Sequence, residues 1–246
     1  MNPSCKLAAV ILAAGKGKRM NSDLPKVLHE VGGRPMIQWV VATAQELGAD
    51  PIVLVVGHGY QQVKAALKGA NVSYAIQHEQ LGTAHAVEQT RPMLADFEGS
   101  IVVLSGDVPG VSPRTIRDLC QRHQGSNAKA TMLTAELDDP TGYGRVLKDG
   151  DGNLLRVVEE KDATDEERTI QEVNGGIYVF DTQALFATLP RVKNHNKQNE
   201  YYLPDVLYIL KEQNQIVAVE KAKDFKEILG VNTREALRKV HAEVFI

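Results

Sequence analysis

The sequence predicts an α/β protein, with a mixed, mostly parallel sheet covered by helices on both faces and a small β-rich lobe toward the C-terminus. Three observations predict it. Short apolar runs alternate with stretches of helical spacing through the first half of the chain. Those runs are rich in β-branched residues and hardly alternate polar with apolar, as expected of strands buried on both faces. After about Asp138 the pattern changes to paired short strands around turn residues. Strand–helix alternation builds a parallel sheet sandwiched by helices, and the later hairpin pattern adds an antiparallel part.

Taken in order, the runs at 7–13, 52–56, 72–76 and 101–105 read as strands. Between them, 35–47, 60–67, 83–94 and 113–123 carry apolar residues at helical spacing, and Pro35 and Pro113 suit first-turn positions. In the second half Asp149-Gly150-Asp151-Gly152 predicts a hairpin turn between strands at 144–148 and 154–159. A charged loop or short helix over 162–168 reads as solvated surface. A strand follows at 172–180, a helix at 201–212, a strand at 215–219 and a terminal helix at 233–242, capped by Thr233 or Asn232. No linker-like or repeated segment divides the chain, so one unit is expected over 1–246.

Bulk composition excludes several classes. Of 246 residues, 43% are hydrophobic and 24% charged, and the formal net charge is −3, which argues against a general electrostatic grip on nucleic acid. The longest uninterrupted apolar run, 7–14, is eight residues, too short to span a bilayer. Basic residues follow it where a signal peptidase would need small ones. The two cysteines, Cys5 and Cys120, show no metal-ligand spacing, so a reduced, cytoplasmic protein without a disulfide is expected. The seven histidines form neither a metal-ligand pattern nor a nucleophile–base pair. His58, in the turn Gly57-His58-Gly59, is the one retained as a candidate supporting residue.

The chemistry concentrates where parallel strands end, since ligands of open α/β sheets bind beyond the carboxyl ends of their strands. The loops at Gly15, Gly57, Gln77 and Gly106 should therefore share one rim. The first is the most informative: Leu12-Ala13-Ala14-Gly15-Lys16-Gly17-Lys18-Arg19-Met20, then Pro25-Lys26. Small residues after a strand let backbone N–H groups approach a polyanion, and the basic side chains neutralise it, Arg19 as a planar fork and Lys26 as a point charge. It is neither a Walker A loop, lacking the closing Gly-Lys-Ser/Thr, nor a dinucleotide fingerprint, since Met20 stands where the third glycine should be. A plain solvated basic turn is the alternative. Gln77 and Gln80 offer amides able to read a pyrimidine edge, or simply a polar loop before a helix. Asp107, after the strand at 101–105, could hold a hard cation or only brace its own turn. Asn232 alone would be read as a helix cap.

Together and in order, the phosphate loop, Gln77-His78-Glu79-Gln80-Leu81-Gly82-Thr83, Gly106-Asp107-Val108-Pro109, Asp139-Pro140-Thr141-Gly142-Tyr143-Gly144-Arg145, Glu159-Glu160-Lys161-Asp162-Ala163-Thr164, Glu200-Tyr201-Tyr202 and Gly230-Val231-Asn232 resemble the sugar-phosphate nucleotidyltransferases. More closely, they are similar to the uridylyltransferase domains of bacterial N-acetylglucosamine-1-phosphate uridylyltransferases. The resemblance runs from about Lys6 to about Arg238 and implies a Rossmann-like sheet of the nucleotide-diphospho-sugar transferase type. It implies a nucleotide-binding part over about 5–137, a sugar-phosphate part over about 138–232 and a closing helix over 233–246. UTP and N-acetylglucosamine 1-phosphate would be the substrates, with Mg²⁺ as cofactor, and no nucleic acid or membrane partner is expected. The chain would be a monomer or weak homo-oligomer.

By that resemblance Arg19 and Lys26 are catalytic, and Leu12, Ala14, Gly15, Gly17 and Gly106 contact the nucleotide. Gln77, Gln80, Gly82 and Thr83 hold the uracil; Gly144, Glu159, Asn174 and Tyr202 hold the amino sugar; Asp107 and Asn232 hold the metal. Departures from the pattern are Lys18 for threonine, Ser105 for tyrosine, Gly175 for threonine, Asn199 for glycine and Pro204 for threonine. They bear on sugar preference more than on reaction class. A different sugar phosphate or nucleoside triphosphate, or a nucleotide-sugar sensor without turnover, remains the alternative. The hexapeptide repeats of an acetyltransferase β-helix do not occur in this sequence, so acetyl transfer is not expected of it.

Overall fold

Leu7–Ala13 (β1) is apolar at every position, and so occupies the middle of the sheet. It pairs in parallel with Ile52–Val56 (β4) on one side and Ser100–Ser105 (β6) on the other, Val10 facing Val53 and Val103. Ser73–Ile76 (β5) extends the parallel set beyond β4. On the far side of β6 runs Glu172–Asp181 (β10), antiparallel, followed by Ala130–Glu136 (β7) and Val217–Lys221 (β11). A hairpin of Arg145–Lys148 (β8) and Leu154–Val158 (β9) joins the end of β10, Arg145 opposite Val173. Glu30–Val31 (β2) and Arg34–Pro35 (β3) form a separate two-stranded ribbon. The computed structural model describes residues 6–246; the expected reduced state of Cys5 lies outside them.

The side-chain period of two sorts β1 between two cores. Ala9 and Ile11 face Met36–Glu46 (α1) and Pro113–Gly125 (α5), through Val40, Ala44, Ile116 and Leu119. Ala8 and Val10 face Thr83–Glu88 (α3), Thr182–Thr188 (α7) and Asp205–Glu212 (α8), through Val87, Leu185, Val206 and Leu210. Tyr60–Ala66 (α2) follows β4, and a third cluster packs Arg234–Val244 (α9) against Met20, Val31 and Met36.

Two local expectations are corrected, and two elements stand where none is expected. The helix expected over 83–94 breaks into α3 and Arg91–Leu94 (α4). Pro92 has no N–H to give and its ring crowds the carbonyl of Glu88. The helix expected from 201 begins only at Asp205. Tyr201 is instead laced to the neighbouring loop, its N–H to Leu81 O at 2.7 Å and its carbonyl accepting from Ala84 N at 2.9 Å. Strand β7 was not anticipated, because Thr131 and Thr134 make it look mixed, although both are fully buried. Their hydroxyls pair with His123 Nδ1 at 2.9 Å and Glu172 Oε1 at 2.8 Å. Helix α7 also went unread; Asp181 caps it by accepting from Ala184 N. The charged stretch after 162 becomes the one-turn helix Asp165–Arg168 (α6), closed by a Thr164/Glu167 capping box. For α9 the cap is Thr233, accepting from Ala236 N at 3.1 Å.

Burial drives the pKa of His123 down to about 4. The native state thus resists a proton that the unfolded chain takes up below about 6.5, so the stability is present above that pH and is lost as pH falls toward 4. Between pH 7 and pH 5 this one group should remove about 2 kcal/mol. In urea melts at the two pH values His123→Gln should lose correspondingly less than wild type; parallel losses would refute the assignment.

Candidate active site

Because β1, β4, β5 and β6 are parallel, their carboxyl ends at Ala13, Val56, Ile76 and Ser105 open on one edge. The four loops expected to share a rim do so. Gly106 N donates to Leu12 O at 2.9 Å, and Gln77 N to Val56 O at 2.8 Å. A Cβ on Gly57 would stand 3.1 Å from Ala14 O and 3.0 Å from Gln77 O, so only glycine lets these loops close up.

In the first loop Ala14 is buried, Leu12 half-buried and Gly15 exposed. Gly17 takes φ +59° and packs on the Lys26 side chain, a conformation and a clearance that exclude larger residues. A 3₁₀ turn, Lys18–Met20, follows, with Met20 N bonded to Gly17 O at 2.8 Å. Met20 is fully buried while Arg19, its neighbour, is exposed. One side chain anchors the turn, and the other is presented to solvent.

A second 3₁₀ turn, Lys26–Leu28, buries Val27 and Leu28. It directs Lys26 Nζ to Asp107 Oδ2 at 2.5 Å and Asn232 Oδ1 at 3.0 Å. Asp107 and Asn232 lie far apart in sequence, but Val231 N donates to Asp107 O at 2.9 Å and zips the two segments together. Gly230 N donates to Tyr143 Oη at 3.1 Å, which ties the β8 side to the same point. A carboxylate and an amide oxygen thus converge on one cationic atom. These hard oxygen donors fit a divalent cation that takes one or two protein ligands and fills its other positions with phosphate and water. Among the described residues no cluster of three or more His, Cys, Asp or Glu could hold a metal by itself.

Next along the rim, Gln77 is buried, and its Nε2 reaches Gly82 O at 3.1 Å and His85 Nδ1 at 3.0 Å. That amide, which carries both donor and acceptor atoms, is the part of Gln77 able to pair with a base edge. Gln80 Nε2 donates to Gln77 O at 3.2 Å. Thr83 Oγ1 accepts from Leu203 N at 2.9 Å, so the Gln77-to-Thr83 loop and the Tyr201–Tyr202 segment form one wall. The exposed His58 lies on the turn after β4. His85, left among structural histidines by sequence reasoning, is the one that fixes a candidate side chain.

Across the cleft, Gly144 O accepts from Asn174 N at 2.9 Å. Asn174 Oδ1 accepts from Gly176 N at 3.0 Å, and its amide pairs with Tyr178 Oη. Glu159, beside Gly144, is pushed up to about 7 by burial and by the charges of Asp162, Asp205 and Glu200. Asp205 is pushed up to about 6, chiefly by burial and then by Asp162. Tyr202 Oη donates to Asp162 Oδ2 at 3.2 Å and accepts from Gln198 Nε2 at 2.7 Å. Asp162 enters the sequence reading only as a member of the Glu159-to-Thr164 motif, without a role of its own, and Tyr178 resembles any strand aromatic. The departures acquire local reasons here. Asn199 has φ +54°, the left-handed region asparagine tolerates in glycine's stead, and Pro204 precedes the first residue of α8. Ser105 Oγ donates to Gly176 O at 3.0 Å.

Residues 9–177 match the MobA-like NTP transferase domain, and the chain belongs to that family. It is 48% identical, over 98% of its length, to the bifunctional protein GlmU of Bacillus licheniformis. To the bifunctional protein GlmU of Exiguobacterium sibiricum it is 50% identical over 96%. Each match covers 52% of the relative, so the chain spans about half the length of these curated relatives. Its fold superposes on a UDP-glucose pyrophosphorylase complexed with UDP-glucose at a TM-score of 0.78 and 20% identity, over 97% of both chains.

Proposed function

We propose that this chain is a uridylyltransferase that forms UDP-N-acetylglucosamine and pyrophosphate from UTP and N-acetylglucosamine 1-phosphate with Mg²⁺. The observation that carries the reading is the meeting of Lys26, Asp107 and Asn232 at the rim. That point lies where the phosphate loop adjoins the segment shared by Gly230 and Tyr143. The likeness to two GlmU proteins supports the substrate pair, and the family supports nucleotidyl transfer.

On this reading residues 5–137 handle the nucleotide, 138–232 the sugar phosphate, and 233–246 close the far side. The backbone of Leu12, Ala14, Gly15, Gly17 and Gly106 approaches the triphosphate, and Arg19 grips the leaving pyrophosphate. Gln77, Gln80, Gly82 and Thr83 hold uracil, the Gln77 amide oxygen accepting from its N3–H. Gly144, Glu159, Asn174 and Tyr202 border the N-acetylated sugar. Mg²⁺, held by Asp107 and Asn232, would neutralise phosphate charge when bound.

A phosphate oxygen of the sugar 1-phosphate attacks the α-phosphorus in line, and the bond to the β-phosphate oxygen breaks as pyrophosphate leaves. The nucleophile is already an anion, so no side-chain base is required. Lys26 steadies the α- and acceptor phosphates against their mutual repulsion. Positioning and electrostatics carry the rate. A cytoplasmic setting suits the buried Cys120, and no helix of the described residues is long and apolar enough to cross a membrane.

The test is pyrophosphate release from UTP. Release should require both N-acetylglucosamine 1-phosphate and Mg²⁺, and stop in EDTA. Release with glucose 1-phosphate or dTTP in preference would move the assignment to another substrate pair, and nucleotide-sugar binding without any release would make the chain a sensor.

A further inference from the structure

We infer that Arg234 is a positioning residue that sets Arg19 against the Asn232 segment. Arg234 is the first residue of α9, two positions after Asn232. Its Nε donates to Met20 O at 3.0 Å and its Nη2 to Asn21 O at 2.8 Å. Those carbonyls belong to the residues immediately after Arg19. Met20 itself is fully buried in the cluster that contains Val231 and Val240. The peptide beyond Arg19 is therefore held twice by the segment carrying Asn232, through a planar fork and through an apolar anchor.

Each hold has a distinct physical role. Burial of Met20 fixes how deeply the turn sits. It leaves the turn free to pivot about that anchor. Two N–H donors of one rigid guanidinium, aimed at consecutive carbonyls, remove the pivot, whereas the donors of a lysine ammonium rotate about a flexible stem and fix no such plane. Arg19 and Asn232 then move as one body, and the anion grip keeps a fixed spacing from the pair that meets Lys26.

The inference rests on the reading of Arg19 as an anion-gripping residue. Its test uses pyrophosphate with Mg²⁺ as the probe, because pyrophosphate carries neither base nor sugar. Calorimetric titration of wild type, R19A, R234M and the double variant forms a cycle. R19A and R234M should each weaken binding by about tenfold, and the double variant should bind no worse than R19A, within about twofold. R234K should fall between R234M and wild type. R234M binding as wild type does, losses that multiply in the double variant, or a wild type that does not bind pyrophosphate would each overturn the inference. Failure of the UTP reaction with pyrophosphate binding intact would instead sink the substrate assignment alone.

Trp39, the single tryptophan, packs in the Met20 cluster, and its emission reports whether that cluster survives. Should R234M lose the emission of the packed state, R234K carries the cycle. It is expected to weaken pyrophosphate binding several-fold with Arg19 present and not at all in the R19A background, and wild-type affinity would overturn the inference.

Discussion

Asp107→Ala should reduce uridylyl transfer by about a thousandfold or more, beyond the hundred- to thousandfold that one preorganised donor usually supplies. The carboxylate has two roles at one point: it is the charged member of the Asp107–Asn232 oxygen pair, and it holds Lys26 Nζ at 2.5 Å. Its loss leaves the amide oxygen of Asn232 alone, a neutral ligand too weak to hold a hard cation against water. Raising Mg²⁺ should therefore recover little of the rate. The fold should tolerate the change. Lys26 keeps its bond to Asn232 at 3.0 Å, and Val231 N still finds the backbone carbonyl of residue 107, which the substitution does not remove. A thermal melt close to wild type together with near-complete loss of pyrophosphate release is the expected pair of results. Turnover within tenfold of wild type would remove Asp107 from the metal role.

The sheet's parallel half was legible because its strands are buried on both faces and show as unbroken apolar runs. β7 was not, since buried threonines satisfied by His123 and Glu172 look polar to any reading that cannot see their partners. The same limit governs the site. The loop at 12–20 announces itself by glycines and basic residues in one stretch, and the rim follows from strand direction alone. Asn232 reads as a cap until Thr233 takes that part and the Val231–Asp107 bond brings it to Lys26. His85 and Arg234 act through tertiary contacts that leave no local signature. The late start of α8 follows from the pairing of Tyr201 with Leu81 and Ala84, a contact across about 120 residues that no helical periodicity could disclose.

Lys26→Met should act in opposite directions on two measurements. In turnover it removes the charge proposed to steady two phosphate groups, and the expected loss is about a hundred- to thousandfold. In metal binding without nucleotide it should give a gain. Lys26 Nζ engages the same two oxygens, Asp107 Oδ2 and Asn232 Oδ1, that would hold a divalent cation. The cation must displace an ammonium from a carboxylate before it can bind. A charge-assisted hydrogen bond of this kind contributes about 1.5–3 kcal/mol, so freeing the pair should tighten metal binding by about ten- to hundredfold. Methionine keeps the apolar stem against Gly17 while removing the charge. Mn²⁺ titrated into nucleotide-free protein and followed by electron paramagnetic resonance reads the affinity directly. On the proposed reading the triphosphate would draw Lys26 onto itself and release the oxygens, so in wild type the gap between weak metal binding alone and tight binding with UTP should be large. In Lys26→Met that gap should narrow. Equal Mn²⁺ affinities in the two proteins would show that the ammonium does not compete for Asp107, and weaker binding in the variant would mean that Lys26 organises the oxygen pair instead of occupying it.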